Sequence, residues 1–341
     1  MKKEITFSLA GIFALFLITA IGYPIHAVAA DLQLNYANYS PASTFPCTQM
    51  ERFKTELEKR TAGKVKVNTF PGGTLLQTKS MYDGIAMGVA DIGCLCMAYQ
   101  PGRFLVTNSL GLPLGIPNAR VGSKVLWDFW VKFKPKEFDK VKVLTMFTSA
   151  PTNLMSTFPI KTIQDINGVS IRASGGAALI LSKWGANAVG MPMPATVEAL
   201  QKGIVKGLFS SLEVMKDLNF AETCKYVTRT STVVYPFAVI MNKRKWNALP
   251  DDIKKAIDDL SLEQVTWTGD YMDRHIIESM EWSKKDQNVQ VITLTQEQLD
   301  AWNGRLGALK QKWVDDADKA GLSGETMLKE LQNIVQKNIA M

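Results

Sequence analysis

Arg172 ends the short apolar run Val169-Ser170-Ile171-Arg172, and Ala173-Ser174-Gly175-Gly176 behind it reads as the opening of a helix. A guanidinium fixed at a strand end beside a helix N-terminus can receive a carboxylate, because its fork meets both oxygens and free amides add partial positive charge. The same pattern also fits an arginine in a surface ion pair. Imidazole chemistry is scarcer: the chain has two histidines, His26 and His275, and the first falls in a segment expected to be removed. A histidine metal cluster or a two-histidine acid–base pair is therefore excluded, and a Ser-His-Asp triad would have to use His275 alone, from inside a long helix. The carboxylate pairs Asp251-Asp252, Asp258-Asp259 and Asp315-Asp316 sit on solvated helical stretches, where adjacent side chains diverge. Cys94 and Cys96 share one strand face and, with Cys47, could suggest a metal site. A closed site needs a fourth ligand and no second cysteine-rich segment exists, so these residues read as small buried side chains, with a disulfide among Cys47, Cys94, Cys96 and Cys224 left open. No phosphate-cradling loop, dinucleotide fingerprint or G-x-S-x-G elbow is present, and neither metal nor cofactor is expected.

The elements that must position Arg172 alternate along the chain. Leu32–Tyr36 reads as a strand, Thr44–Lys59 as a helix and Lys64–Phe70 as a strand of period two, which makes a β-α-β unit. Ser80–Val89 is helical and Ala90–Cys94 a short buried strand. The pattern recurs with strands at Lys142–Phe147 and Val169–Arg172 and helices at Gly176–Trp184 and Ala195–Lys202. A longer strand is expected over Thr230–Met241. Pro250 with Asp251 and Asp252 then starts a helix running to about Lys285, near 50 Å at 1.5 Å per residue, long enough to pass from one domain to another. Without repeats or an obvious linker, the expectation is an α/β protein of two lobes joined by strands that cross between them. Trp127, Trp130, Trp184 and Trp313 read as packing residues.

A length of 341 residues, 46% hydrophobic and 21% charged, suits two globular units with sizeable cores and excludes a disordered or polytopic membrane chain. Lys2 and Lys3 precede a charge-free run from Ile5 to Ala30 that ends in Ala27-Val28-Ala29-Ala30, the pattern of a cleaved secretory leader. The mature chain is expected to begin near Ala30 or Asp31, and no nearby cysteine offers a lipid anchor. The formal charge of +7 is spread among acids and forms no stripe, as Lys254, Lys255, Asp258 and Asp259 illustrate, so nucleic acid is not an expected partner.

Three blocks carry a family resemblance: Asp165-Ile166-Asn167-Gly168-Val169-Ser170-Ile171-Arg172, the segment from Ala199 to Gly207, and the segment from Asn242 to Pro250. In order and spacing they resemble the DctP-type solute-binding subunits of TRAP transporters, and the similarity extends from the first strand to Leu294-Thr295-Gln296-Glu297-Gln298-Leu299. The resemblance implies a two-lobed periplasmic-binding-protein fold, hinged by crossing strands and a long interdomain helix. It implies a periplasmic receptor that closes over an organic acid and hands it to the membrane subunits of an ion-driven transporter. Lobe I is expected over 31–148 and 232–278, and lobe II over 149–231 and 279–341, behind a leader at 1–30. The family's carboxylate-clamping arginine falls on Arg172; ligand-contacting positions fall near Ser210 and Ser211, and Glu213-Val214 matches a Trp-Glu-Val ending of some relatives. Thr152 stands where sialic-acid binders carry a second arginine. Phe209-Ser210 replaces the Glu-Trp pair of metal-assisted oxoacid binders. Tyr39, Asn153 and Phe237, at strand ends and the hinge, are further ligand-binding candidates, with Gln77 and Tyr99 behind them. The alternative is a secreted hydrolase or lyase acting on an arginine-clamped carboxylate, which would need a base that only His275 offers among imidazoles.

Overall fold

The computed structural model describes residues 32–341; the expected leader over 1–30 lies outside the described residues. Its strands in chain order are β1 (Leu32–Asn38), β2 (Val65–Phe70), β3 (Ile92–Cys96), β4 (Val141–Thr148), β5 (Asn153–Ser156), β6 (Ser170–Arg172), β7 (Asn187–Val189), β8 (Gly207–Ser210), β9 (Tyr226–Arg229), β10 (Pro236–Asn242) and β11 (Gln290–Thr293). The helices are α1 (Phe45–Arg60), α2 (Met81–Met87), α3 (Ala119–Phe133), α4 (Gly175–Trp184), α5 (Thr196–Gln201), α6 (Val214–Asp217), α7 (Lys243–Asn247), α8 (Asp251–Gln287), α9 (Gln296–Asn303), α10 (Ala308–Lys319) and α11 (Gly324–Ile339). The strands form two sheets, in the orders β2-β1-β3-β10-β4 and β11-β9-β5-β8-β6-β7.

The β-α-β reading of the first segment holds: β1 and β2 run parallel with Leu32 opposite Val65 and Tyr36 opposite Thr69. Leu34, Tyr36, Val65 and Val67 share one face and are fully buried, while their alternates Gln33 and Lys66 on the other face are exposed, so at this edge of the sheet the period of two marks a single covered face. β10 returns from much later in the chain and inserts antiparallel between β3 and β4, with Phe237 opposite both Cys96 and Phe147. That insertion makes the first sheet depend on a strand that has already visited the second.

Two crossings link the sheets, Ser149–Thr152 between β4 and β5 and Thr230–Tyr235 between β9 and β10. They bond to each other: Ser149 N–H donates to the Tyr235 carbonyl at 2.9 Å, Thr152 N–H to Val233 at 2.7 Å and Thr232 N–H to Thr152 at 3.1 Å. The expected strand over Thr230–Met241 is therefore shorter at its start. Residues 230–235 spend their backbone bonds on the other crossing, Ser231 takes a positive φ of 44°, and the ladder begins at Pro236, a first-residue position that suits proline.

α8 has 37 residues, about 55 Å, and touches both lobes: it packs on α1, α3 and β4 of the first and on α6 of the second. Past it the chain divides differently from the expected boundaries. α9 stays with the second lobe, where the Trp184 indole donates to the Trp302 carbonyl at 3.0 Å. α10 and α11 return to the first, as Trp313 donates to Leu105 at 3.0 Å and Asn338 to Asp128 at 3.1 Å. The reason is an uncovered apolar face on α3, which α11 packs against.

Candidate functional site

Arg172 closes β6 and is completely buried. Its Nε and Nη2 donate to the Met191 carbonyl at 3.0 and 2.7 Å, and Nη2 also reaches the Tyr99 hydroxyl at 3.2 Å. The Tyr99 oxygen accepts a second bond from Met193 N–H at 3.1 Å, so a first-lobe side chain ties together two segments of the second. These bonds fix the plane of the guanidinium while Nη1 remains, among the described residues, without a partner. A buried cation with one face of its fork unused is costly unless an anion meets it, because desolvation is offset only by a counter-charge and its hydrogen bonds.

Arg172 lines a cavity between the lobes that encloses about 500 Å³ of space not filled by atoms, solvent at its mouth included. The first lobe contributes Tyr39 and Ser40 after β1, Thr44, Phe45 and Pro46 at the start of α1, and Cys96 and Tyr99 after β3. The second contributes Arg172, Met193, Pro194, Ser210, Ser211 and Glu213, and the crossings contribute Ser149 and Tyr235. Phe237 lies at the centre of an aromatic wall, with its ring 5.2 Å from Phe45 in an edge contact and stacked 5.4 Å from Phe147. Tyr39 meets Tyr99 edge-on at 5.6 Å. Aromatic and aliphatic side chains thus make much of the lining, beside the hydroxyls of Ser40, Thr44 and Ser149 and the groups after β8, and suit a flat body.

Ser210 ends β8, the strand beside β6, and Ser211 and Glu213 follow on the turn into α6. Ser211 Oγ donates to Glu213 Oε1 at 2.8 Å, whereas Glu213 Oε2 has no partner among the described residues. Burial pushes the Glu213 carboxyl up to about 7, against the lowering effect of the Ser211 bond. One turn on, Asp217 also faces the cavity, and its Oδ1 lies 2.6 Å from His275 Nε2 of α8. The Asp217 bond raises the His275 imidazole above its ordinary value, with burial opposing it.

Six of the seven expected ligand residues, Tyr39, Arg172, Ser210, Ser211, Glu213 and Phe237, line this one cavity. Asn153 does not: its Oδ1 accepts from Thr230 and Ser231 N–H at 2.9 and 3.1 Å, so it braces the second crossing. Gln77 is turned away, with its amide on the Gly73 carbonyl at 3.2 Å. Nor do the first amides of α4 face the cavity. Gly175 and Gly176 press against Ala98 and Gly111 of the first lobe, and a Cβ on Gly176 would lie 2.2 Å from the Gly111 carbonyl oxygen. Tyr235, Asp217 and His275 went unassigned to the site by sequence. Tyr235 has the same-face spacing to Phe237 as its only signal, and the Asp217–His275 pair spans 58 positions. The four cysteines are buried free thiols, and among the described residues no group of three or more His, Cys, Asp or Glu could hold a metal. No described helix is long and apolar enough to cross a membrane.

The overall fold agrees with that of known proteins. A solved TRAP periplasmic solute-binding protein of Desulfovibrio salexigens is 50% identical, covers 90% of this chain and 97% of its own, and superposes with a TM-score of 0.82. It was captured as an open complex with the C-terminus of a symmetry mate in its ligand-binding site. A marine-metagenome TRAP solute-binding protein specific for aromatic acids, co-crystallised with 3-hydroxybenzoate, is 25% identical over 91% of this chain and 99% of its own, with a TM-score of 0.86. Among curated proteins, the 2,3-diketo-L-gulonate-binding periplasmic protein YiaO of Escherichia coli K12 is 24% identical over 290 residues, 82% of this chain and 87% of its own. Residues 36–316 match the family model for the bacterial extracellular solute-binding proteins of family 7, and with the buried arginine between two hinged lobes this chain belongs to that DctP family of TRAP-transporter receptors.

Proposed function

We propose that this protein captures a small aromatic or cyclic carboxylate in the periplasm, grips it through Arg172 and presents the closed complex to the membrane subunits of a TRAP transporter. The observation that carries the reading is a wholly buried guanidinium whose Nη1 has no partner among the described residues, on a residue that lines the cavity between two lobes. A carboxylate there would complete the fork with parallel charge-assisted bonds. The relatives support it in two ways. The half-identical D. salexigens protein holds a peptide C-terminus in its ligand site, and the metagenome protein is specific for aromatic acids. A hydrolase or lyase finds no such support.

Calorimetry on Arg172→Ala is the direct test. Removing one member of a buried charged pair costs about 3–5 kcal/mol, so the acid that binds wild type should weaken by roughly several hundredfold or more while circular dichroism stays native. Arg172→Lys should recover little, since a point charge cannot make two parallel bonds. Retention of affinity within about fivefold, near 1 kcal/mol, would remove the clamp from Arg172. For the location, intact-mass measurement of exported protein should show a chain starting near Ala30 or Asp31; retention of Met1 would contradict a cleaved leader.

A further inference from the structure

Arg172, Glu213 and Asp217 all line the cavity and each keeps one polar atom without a hydrogen-bond partner among the described residues. Glu213 is 2% exposed, with Oε1 held by Ser211 and Oε2 unpartnered. Among the described residues no hydrogen bond or ion pair links Glu213 to Arg172, although both line the same space. Asp217 repeats the pattern behind Glu213, with Oδ1 on His275 and Oδ2 unpartnered. An acid that satisfied only Arg172 would leave a buried acceptor dry, which selects against it.

We infer that the pocket is built for a bifunctional acid, a carboxylate on a flat apolar body that also carries a hydroxyl or N–H donor, and that Glu213 Oε2 accepts that donor and so determines specificity. The inference rests on the reading of Arg172 as the carboxylate clamp and names what else the ligand must have.

Proton traffic follows from the same geometry. Glu213 is faced by Asp217 on the next turn and by Tyr271 and His275 from α8, with the exposed Glu278 on the far nitrogen of His275. Across the cavity stand Arg172, Cys96 and the hydroxyls of Tyr39, Tyr99 and Tyr235. In this setting burial holds the carboxyl near 7, so the empty site is largely protonated below neutrality. A donor-bearing acid favours the ionised form of Glu213, releases a proton on binding and binds better as pH rises. A donorless acid brings only a second negative charge, and its affinity falls as pH rises.

Three matched pairs test this by calorimetry and thermal shift on the mature full chain: 3-hydroxybenzoate with benzoate, mandelate with phenylacetate, and pyroglutamate with cyclopentanecarboxylate. In the pair that binds best, wild type should prefer the donor-bearing member by about tenfold or more, and Glu213→Gln should cut that preference to within about threefold. The donor-bearing acid should gain affinity between about pH 5.5 and 8 in wild type and be nearly flat in Glu213→Gln. Equal binding of the two members, a preference that survives Glu213→Gln, or a fall in affinity of the donor-bearing acid with rising pH would each overturn the inference and leave the carboxylate clamp standing. If none of the six acids binds wild type, the clamp reading fails and this one fails with it. Should Glu213→Gln not fold, the wild-type preference and its pH slope decide alone.

Discussion

A carboxyl group that is neutral in the folded protein and ionised in the unfolded chain makes stability depend on pH, and Glu213 is such a group. Its folded value of about 7 lies above the ordinary 4.5, so between those two values the folded state binds the extra proton and stability falls as pH rises. Full ionisation costs on the order of 3 kcal/mol. His275 acts in the same direction: its raised imidazole adds stability that is complete below the unfolded value and is lost as pH climbs through the folded one. Urea unfolding of the ligand-free protein should therefore give a higher free energy near pH 5.5 than near pH 8, and Glu213→Gln should remove most of the difference by having no proton to lose. At this scale the sequence was readable only in part. Arg172 at a strand end ahead of glycines fitted a carboxylate receptor and a surface ion pair alike, and its complete burial removes the surface alternative. Glu213 and Ser211 were reachable only through their place in a family block, and the Asp217–His275 pair had no local signal because a helix and a distant turn bring it together.

At the scale of elements, the start of α4 is where the lobes touch, and glycine is required there by space. An alanine at Gly176 would set its methyl 2.2 Å from the Gly111 carbonyl, a backbone atom that cannot swing aside. Gly176→Ala should keep the apo protein's melting point, since alanine favours a helix by up to about 1 kcal/mol over glycine, yet hold the lobes apart and weaken ligand binding by roughly tenfold or more. Calorimetry beside a thermal melt separates the two effects. The crossings offer a complementary case: Asn153→Ala strips the acceptor from two backbone amides, Thr230 and Ser231, and should lower stability by about 1–3 kcal/mol in urea unfolding. Periodicity located α1, α4 and α8 within a residue or two, because apolar faces repeat over many residues. It misread Thr230–Tyr235, an apolar and β-branched run whose hydrogen bonds go to another crossing, since composition does not record which partner a backbone finds.

For the whole molecule, a ligand bound as proposed would lie where two lobes share it, so binding energy could be spent on closing them. Small-angle scattering of the full chain should show a smaller radius of gyration once a tight acid is added, and an unchanged radius would mean the receptor is rigidly closed without it. A ligand at a hundred times its dissociation constant should also add about 2.7 kcal/mol to unfolding. The two-lobed plan was legible from alternating strands and helices and one helix too long for a single lobe. The return of α10 and α11 to the first lobe was not, because an amphipathic helix announces that it has an apolar face and is silent about which surface will cover it. The cavity's own thiol has a practical consequence. Cys96 lines the space between the lobes, and burial holds its thiol up at about 12, so it is inert while the lobes are together. An alkylating reagent can reach it only during an opening, which makes the modification rate a clock for that motion, with Cys47, Cys94 and Cys224 in the interior marking slower global unfolding. Ligand should slow the clock in proportion to occupancy, by about a hundredfold at a hundred times the dissociation constant, so the transporter's loading step can be timed by peptide mass on the unmodified sequence.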